Sequence, residues 1–510
     1  MIMLVIRADA GTDIGSGHLM RCLALGEAWR ARGGSVVFLS RCPNPALRRR
    51  IEGAGFGFVP LERAHPDPAD LQATLRKLQE VSAGQEHPWL VLDGYHFDSA
   101  YQQVVREAGY RLLVIDDTAH LEHYHADVLL NQNIGAERLT YRHDPDTVTL
   151  LGTKYALLRS EFLTWSAWRR EIPDVARKVM VTLGGSDPEN VTLKVMRALQ
   201  LVNVPGLEAI VVVGPQNPYY CDLMATAQES KISMRIVKNP NSMAELMAWA
   251  DVAVSAAGST CWELAFMGLP LLAIILARNH EDIANELNRT LGIVSLGWFR
   301  RLTEEMIAVR LTQICKDMEW RRYQSSKGRQ LVDGMGAERV VTIMKYLWRN
   351  RLPEELCLIR RATWHDRFCI WQLRNDPTVR LVSFNREPIP FNDHEEWFAS
   401  KLQSPYTRIW VLEINGTVVA QVRYELVQPD VLEVNISVAQ AFRGKGVGTL
   451  LLNKTMGLAS AELKGRFLRA VVFRDNQPSQ QLFIKAGFRR VSEVHRNGYA
   501  CLIYEREYSR

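Results

Sequence analysis

A histidine stands inside a glycine turn near the start of the chain, in Gly15-Ser16-Gly17-His18. The turn follows an apolar, strand-like run at residues 3–6 and opens a helix-like run from His18 to about Arg32. Glycines let backbone approach a ligand closely, and a helix N-terminus favours an anion. The same dipole favours a neutral imidazole, the form a general base needs. His18 is therefore the candidate base, with Gly15 and Gly17 as ligand contacts. Arg7 and Asp9, at the polar end of the preceding strand, are expected at the same ligand.

Two more turns carry the chemistry of anion binding. Gly184-Gly185-Ser186-Asp187 lies between a strand and a helix, and its amides at Gly185 and Ser186 can receive a pyrophosphate. Ser186 or Asp187 is a natural N-cap, so a plain capped turn accounts for this motif equally well. Ala257-Gly258-Ser259-Thr260 is followed by Glu263. It can bring amides to a phosphate and, one helical turn later, a carboxylate to ribose hydroxyls. His120, His123 and His125 do not share one face of a helix or strand, so no metal is expected there.

A fourth turn lies far along the chain, where a strand at residues 434–438 leads into Arg443-Gly444-Lys445-Gly446-Val447-Gly448-Thr449. Its successive amides can grip a pyrophosphate, with Arg443 and Lys445 adding charge. An antiparallel strand series precedes it, which disfavours a dinucleotide Rossmann site. Asn476-Gln477-Pro478-Ser479 then opens a helix that ends at Lys485-Ala486-Gly487-Phe488.

Two kinds of architecture must hold these turns. Strand-like runs at 3–7, 35–39, 89–92, 111–115 and 128–131 alternate with helical patterns, a βαβ rhythm that implies a parallel sheet covered on both faces. A second series runs through 178–183, 207–213, 234–237, 252–254 and 271–275. Two doubly wound halves joined near residues 153–172 suggest a ligand cleft between them. After Pro353, strands at 356–361, 407–414, 418–426 and 431–438 come first and close together, an α+β pattern. The expected domains are 1–155, 156–350 and 354–508.

The 510 residues, 47% hydrophobic and 23% charged, are those of an ordinary globular chain of roughly three to four domains. A net charge of +6 is small for this length, and Arg48-Arg49-Arg50 reads as a solvated helix face, so nucleic acid is not an expected partner. The longest apolar run, 269–277, is about half of what a membrane helix needs. No basic leader precedes the first strand, and the eight cysteines form no C-x-x-C pair. A reduced cytoplasm is expected, with neither disulfides nor zinc.

Arg7-Ala8-Asp9, the run from Ile14 to Leu23, Asp93-Gly94-Tyr95, the run from Gly152 to Phe162, Gly184-Gly185-Ser186-Asp187 and the Gly258-to-Glu263 turn together resemble one family. It is the UDP-2,4-diacetamido-2,4,6-trideoxy-β-L-altropyranose hydrolases of the pseudaminic acid pathway, matched over roughly residues 1–345. The resemblance implies a two-lobed GT-B fold and hydrolysis of a glycosyl–phosphate bond without a metal. His18 would deprotonate the attacking water. Gly258, Ser259 and Thr260 with Gly185 would hold UDP, Arg159 would bind the ligand and Glu263 would contact the ribose. The opening turn then faces the sugar. Asn279 matches a sugar contact, but Asn279-His280 stands where Asn-Gln is expected.

Residues 354–508 resemble the GNAT acetyltransferases. The resemblance makes Val438 and the loop from Arg443 through Gly444, Lys445, Gly446, Val447 and Gly448 to Thr449 the acetyl-CoA site, with Asn476 beside the cofactor. Glu433 would draw the proton from the amine, although a solvated strand residue is an equal account of it. Phe483 stands where many members carry a tyrosine that protonates the departing thiolate. Together the resemblances imply consecutive steps. The 4-amino group of UDP-4-amino-4,6-dideoxy-N-acetyl-β-L-altrosamine would be acetylated, and the product cleaved from UDP, toward a surface glycan such as that of flagellin. A glycosyltransferase fused to an acetyltransferase of another amine, or to a regulatory acetyl-CoA-binding module, remains the alternative.

Overall fold

The computed structural model describes residues 3–11, 15–82, 88–185, 187–214, 217–349 and 354–508. It forms two compact units, residues 1–144 with 149–341, and residues 342–510 with 145–148. Three sheets organise them. No helix among the described residues is long and apolar enough to cross a membrane.

The first sheet contains β1 (Met3–Ala8), β2 (Ser35–Ser40), β3 (Gly57–Pro60), β4 (Trp89–Asp93), β5 (Arg111–Ile115), β6 (Val128–Asn131) and β7 (Val148–Leu151), in the order β3-β2-β1-β4-β5-β6-β7. All five residues of β4 are buried, which follows from helices covering both faces of a parallel sheet. Strand order reverses between β1 and β4, where Ala8 pairs with Asp93. Their carboxyl ends therefore open a crevice at the switch point.

The second sheet repeats the plan with β8 (Lys178–Thr182), β9 (Glu208–Val213), β10 (Ser233–Lys238), β11 (Val252–Ala256), β12 (Leu271–Ile275) and β13 (Val294–Trp298), in the order β10-β9-β8-β11-β12-β13. Here the reversal falls between β8 and β11, with Thr182 opposite Ser255. The glycine turns that follow these two strands are thereby neighbours. The architecture is GT-B-like, as the sequence suggested. β3, β7 and β13 lie outside the strand-like runs legible in the sequence. Gly57 and Pro60 bound β3, and β13 joins β12 through an irregular register, so neither shows a clean apolar run.

The third sheet holds β14 (Cys357–Arg361), β15 (Thr407–Ile414), β16 (Thr417–Gln428), β17 (Val431–Val438), β18 (Phe467–Phe473), β19 (Arg489–Arg496) and β20 (Tyr499–Glu507), in the order β14-β15-β16-β17-β18-β20-β19. It is antiparallel except where β17 meets β18. Those two strands pair only through Val431–Phe467, Leu432–Leu468 and Glu433–Arg469. Beyond Glu433 they separate, leaving residues 434–438 without a β18 partner.

Candidate functional site

The first unit encloses a cleft of about 1920 Å³, lined from one lobe by Gly15, Ser16, Gly17 and His18 and from the other by Gly185, Gly258, Ser259, Thr260, Glu263 and Asn279. The turns meet closely. A Cβ built on Gly185 would stand 2.7 Å from Ser16 Oγ, so a side chain there would require that hydroxyl to move. Ser186 and residues 12–14 lie outside the described residues.

His18 occupies the first turn of the helix Gly17–Ala31, whose N-cap Ser16 makes no side-chain capping bond. Its Nδ1 lies 2.5 Å from Asp93 Oδ1, at the end of β4. A carboxylate only accepts, so Nδ1 carries the hydrogen, and in the neutral ring the lone pair is on Nε2. Arg21, one helical turn beyond His18, donates to both oxygens of Asp93 at 2.6 and 2.7 Å and to both of Asp117 at 2.8 and 2.9 Å. Burial opposes ionisation of Asp93 and of Asp117, but the Arg21 guanidinium outweighs it and holds both carboxyls below the usual range.

The network continues across the cleft. Tyr95 donates to Asp117 at 2.7 Å, and Asn279 Nδ2 donates to the Tyr95 hydroxyl at 3.3 Å. Asn133 also donates to Asp117, at 2.7 Å. The Asp93-Gly94-Tyr95 turn stands out in the sequence as a motif, but nothing there assigns a site role to Asp93, Tyr95, Arg21, Asp117 or Asn133. The i to i+3 spacing of His18 and Arg21 was a usable signal for Arg21. The others are far apart in sequence and meet only when strand ends align.

Arg7 and Asp9 are corrected by the structure. The Arg7 side chain is fully buried, bonded to Asp9 and, at 2.8 Å, to Asp70. Asp9 also accepts from the Arg41 amide at 2.7 Å. Neither lines the cleft. Arg7 and Asp9 pair with each other, with Asp70 and with the Arg41 amide, so their charges are satisfied inside the fold.

The other lobe presents two unequal turns. Asp187 accepts from the amides of Val191 and Thr192, both at 2.9 Å, at the start of the helix Val191–Leu199. A carboxylate thus already holds that helix N-terminus, which is the plain capped turn left open by the sequence. Ser259, at the N-cap of the helix Thr260–Phe266, makes no such capping bond. Arg159 is buried, bonded to Glu161 and, at 2.9 Å, to Glu263. Burial pushes the Glu263 carboxyl up, against the pull of Arg159. Arg159 thereby orients Glu263. His280 lines the cleft beside Gly258, accepting weakly at Nδ1 from the Leu276 amide at 3.4 Å, and burial lowers its pKa to about 4.

In the second unit, Gly444 and Gly446 have φ of +72° and +83°, a region that side-chain-bearing residues rarely adopt. Gly446 is the N-cap of the helix Val447–Leu463, again without a side-chain cap. Val447 and Gly448 are buried there, with Thr449 in the same first turn. The loop's basic residues are engaged otherwise than expected. Arg443 is tied to the Val438 carbonyl at 2.8 Å, to Thr378 Oγ1 at 2.6 Å and to Asp376 at 2.9 Å. Lys445 donates to the Ala441 carbonyl at 2.7 Å. Arg443 therefore braces the loop.

Asn476 caps the helix Gln477–Lys485 by accepting from the Ser479 amide at 3.2 Å. Glu433 accepts from Arg496 at 3.0 Å, at the point where β17 and β18 part. Phe483 is buried against Phe488, ring centroids 5.1 Å apart, and takes no part in an open site.

Comparison with known proteins places these arrangements. Residues 179–289 match the glycosyltransferase family 28 C-terminal domain, and residues 357–489 match the acetyltransferase (GNAT) domain. An uncharacterized protein of Methanocaldococcus jannaschii is 23% identical over 98% of this chain and 99% of its own. The UDP-2,4-diacetamido-2,4,6-trideoxy-β-L-altropyranose hydrolase of Campylobacter jejuni is 22% identical, covering 55% of this chain and 94% of that protein. The acetyltransferase-type protein YwnH of Bacillus subtilis is 34% identical over 26% of this chain and 85% of its own. The crystal structure of MurG from Acinetobacter baumannii aligns with 68% of this chain and 99% of that one, at 16% identity and a TM-score of 0.50, a likeness of fold.

Proposed function

The chain belongs, through residues 357–489, to the GNAT acetyltransferases, and from that premise we propose that it couples acetyl transfer with hydrolysis of the acetylated nucleotide sugar. In this reading the second unit moves an acetyl group from acetyl-CoA to the 4-amino group of UDP-4-amino-4,6-dideoxy-N-acetyl-β-L-altrosamine. The first unit then cleaves UDP-2,4-diacetamido-2,4,6-trideoxy-β-L-altropyranose into UDP and free sugar. The protein serves pseudaminic acid synthesis in the cytoplasm.

The observation that carries the hydrolase reading is the His18–Asp93 pair at the mouth of a two-lobed cleft. His18 Nε2 takes a proton from water as the water oxygen attacks the anomeric carbon. The bond from that carbon to the phosphate oxygen breaks, and UDP leaves with the bonding electrons. Asp93 stabilises the imidazolium that forms. The uncapped amides at Ser259 and Thr260 receive the leaving diphosphate, Gly185 permits its close approach, and Glu263, aimed by Arg159, takes the ribose hydroxyls. Asn279 contacts the sugar.

For acetyl transfer, the amides from Gly444 to Thr449 hold the pyrophosphate of acetyl-CoA, and the parting of β17 and β18 after Glu433 admits its extended arm beside Val438 and Asn476. The amine nitrogen attacks the thioester carbonyl, the carbon–sulfur bond breaks, and Glu433 accepts the amine proton. Phe483 cannot donate to sulfur, so the thiolate takes its proton from another group or from water.

A second reading has its own support, because residues 179–289 match a domain named for glycosyltransferases. The first unit would then deliver its sugar to an acceptor other than water. One experiment separates them. The purified chain is incubated with the UDP-diacetamido sugar and no acceptor, then with the UDP-amino sugar with and without acetyl-CoA, with products read by mass spectrometry. UDP release in the first case supports the hydrolase, and no release without an acceptor sinks it.

A further inference from the structure

The histidines at 120, 123 and 125 part company in the fold. His120 turns to Asp116, at 2.7 Å. His123 and His125 are i and i+2 of an extended segment, so both imidazoles emerge on one side while Tyr124 between them is buried on the other. That segment bridges to the chain at His143, with the Tyr124 amide donating to Arg142 and the Asp144 amide to Tyr124. The register sets the Asp144 carboxylate against both rings. His123 Nε2 lies 2.8 Å and His125 Nδ1 3.1 Å from the same oxygen, Asp144 Oδ1.

We propose that His123, His125 and Asp144 form a divalent-metal site suited to Zn²⁺, with solvent completing the coordination. Three ligand atoms, one from each side chain, lie within 4.8 Å of one another. Tetrahedral Zn²⁺ with bonds of about 2.0–2.1 Å needs its ligand atoms roughly 3.3 Å apart, and the two imidazole nitrogens lie 2.8 and 3.1 Å from the carboxylate oxygen. Two imidazoles and one carboxylate are a borderline donor set that fits Zn²⁺ better than the all-oxygen shells of Mg²⁺ or Ca²⁺. The ring centroids are 4.6 Å apart at 45°, so the rings converge without stacking face to face. None of the three residues lines the cleft. The metal would clip the segment after β5 to the one before β7, closing a loop that carries β6 and Asn133. Its role is thus to steady a wall of the cleft rather than to react.

The test strips the full chain with a chelator, then titrates it with Zn²⁺ alone and with Co²⁺ alone. One tight equivalent is expected, with Co²⁺ giving the strong visible absorption of a four-coordinate site. His123→Gln and Asp144→Asn should each weaken that equivalent at least about 100-fold. Zn²⁺ should raise the melting temperature of the wild type by about 2 °C or more and leave Asp144→Asn unmoved. Equal melting of variants and wild type in chelator separates lost ligation from lost folding. If one variant does not fold, His125→Gln supplies the same comparison. No binding below about 100 µM Zn²⁺, or binding unaffected by the substitutions, overturns the site.

Discussion

Asp93 Oδ1 receives His18 at 2.5 Å and Arg21 at 2.6 Å, so one carboxylate oxygen both orients the imidazole and is itself held. Asp93 is completely buried and could not remain charged at that depth without Arg21. Arg21 in turn is shared with Asp117, which carries Tyr95 and, through it, Asn279 of the opposite lobe. His18 is therefore set by a chain of bonds that reaches across the cleft.

His18→Ala is expected to lower hydrolysis by about 10²–10⁴-fold, the usual worth of a positioned base. UDP affinity, measured by calorimetry, should change little, because the proposed UDP contacts lie on the other lobe. More than about a tenth of the activity surviving would remove His18 from that role.

Asp93→Asn keeps the shape but lets the amide donate to Nδ1, turning the lone pair away from the water. The expected loss is at least about 100-fold in kcat with KM within about threefold. Equal loss in both parameters would instead mean a disturbed cleft.

His280 gives a stability signature. Burial takes its pKa from 6.5 to about 4 in the folded chain. Between these values the unfolded chain binds the proton and the folded one does not, so stability is full above about pH 6.5 and falls as pH drops toward 4. His280→Gln should remove about 2–3 kcal/mol of that acid-side loss, read from urea midpoints across pH, while hydrolysis persists. An unchanged acid limb would contradict it.

Gly446→Val places a β-branched residue at φ +83°, where a side chain costs about 1–2 kcal/mol. The KM for acetyl-CoA should rise about tenfold or more while the KM for the amine holds. Steady-state assays varying each substrate separately check this.

Glu433 is paired with Arg496, and a base must be released from such a pair to accept a proton. Glu433→Gln should cut acetyl transfer by about 100-fold, whereas Arg496→Gln should not. If Arg496→Gln is the more damaging, Glu433 serves the hairpin between β19 and β20 rather than the chemistry.

The sequence by itself determined the two doubly wound halves, the α+β unit and the glycine turns, because apolar periodicity and backbone-permissive residues are local signals. It marked His18, Gly258, Glu263 and Gly446 as places where a ligand can approach. Only the tertiary structure decided which charges face that ligand. Arg7 sits in a motif beside His18 yet pairs inward with Asp9 and Asp70, while Asp93, 75 residues from His18, meets it directly. Arg443 follows the same rule, since Asp376 and Thr378 reach it from a distant helix. A buried charge takes whichever partner the packing brings within bonding distance, and partners remote in sequence leave no periodic trace by which to find them.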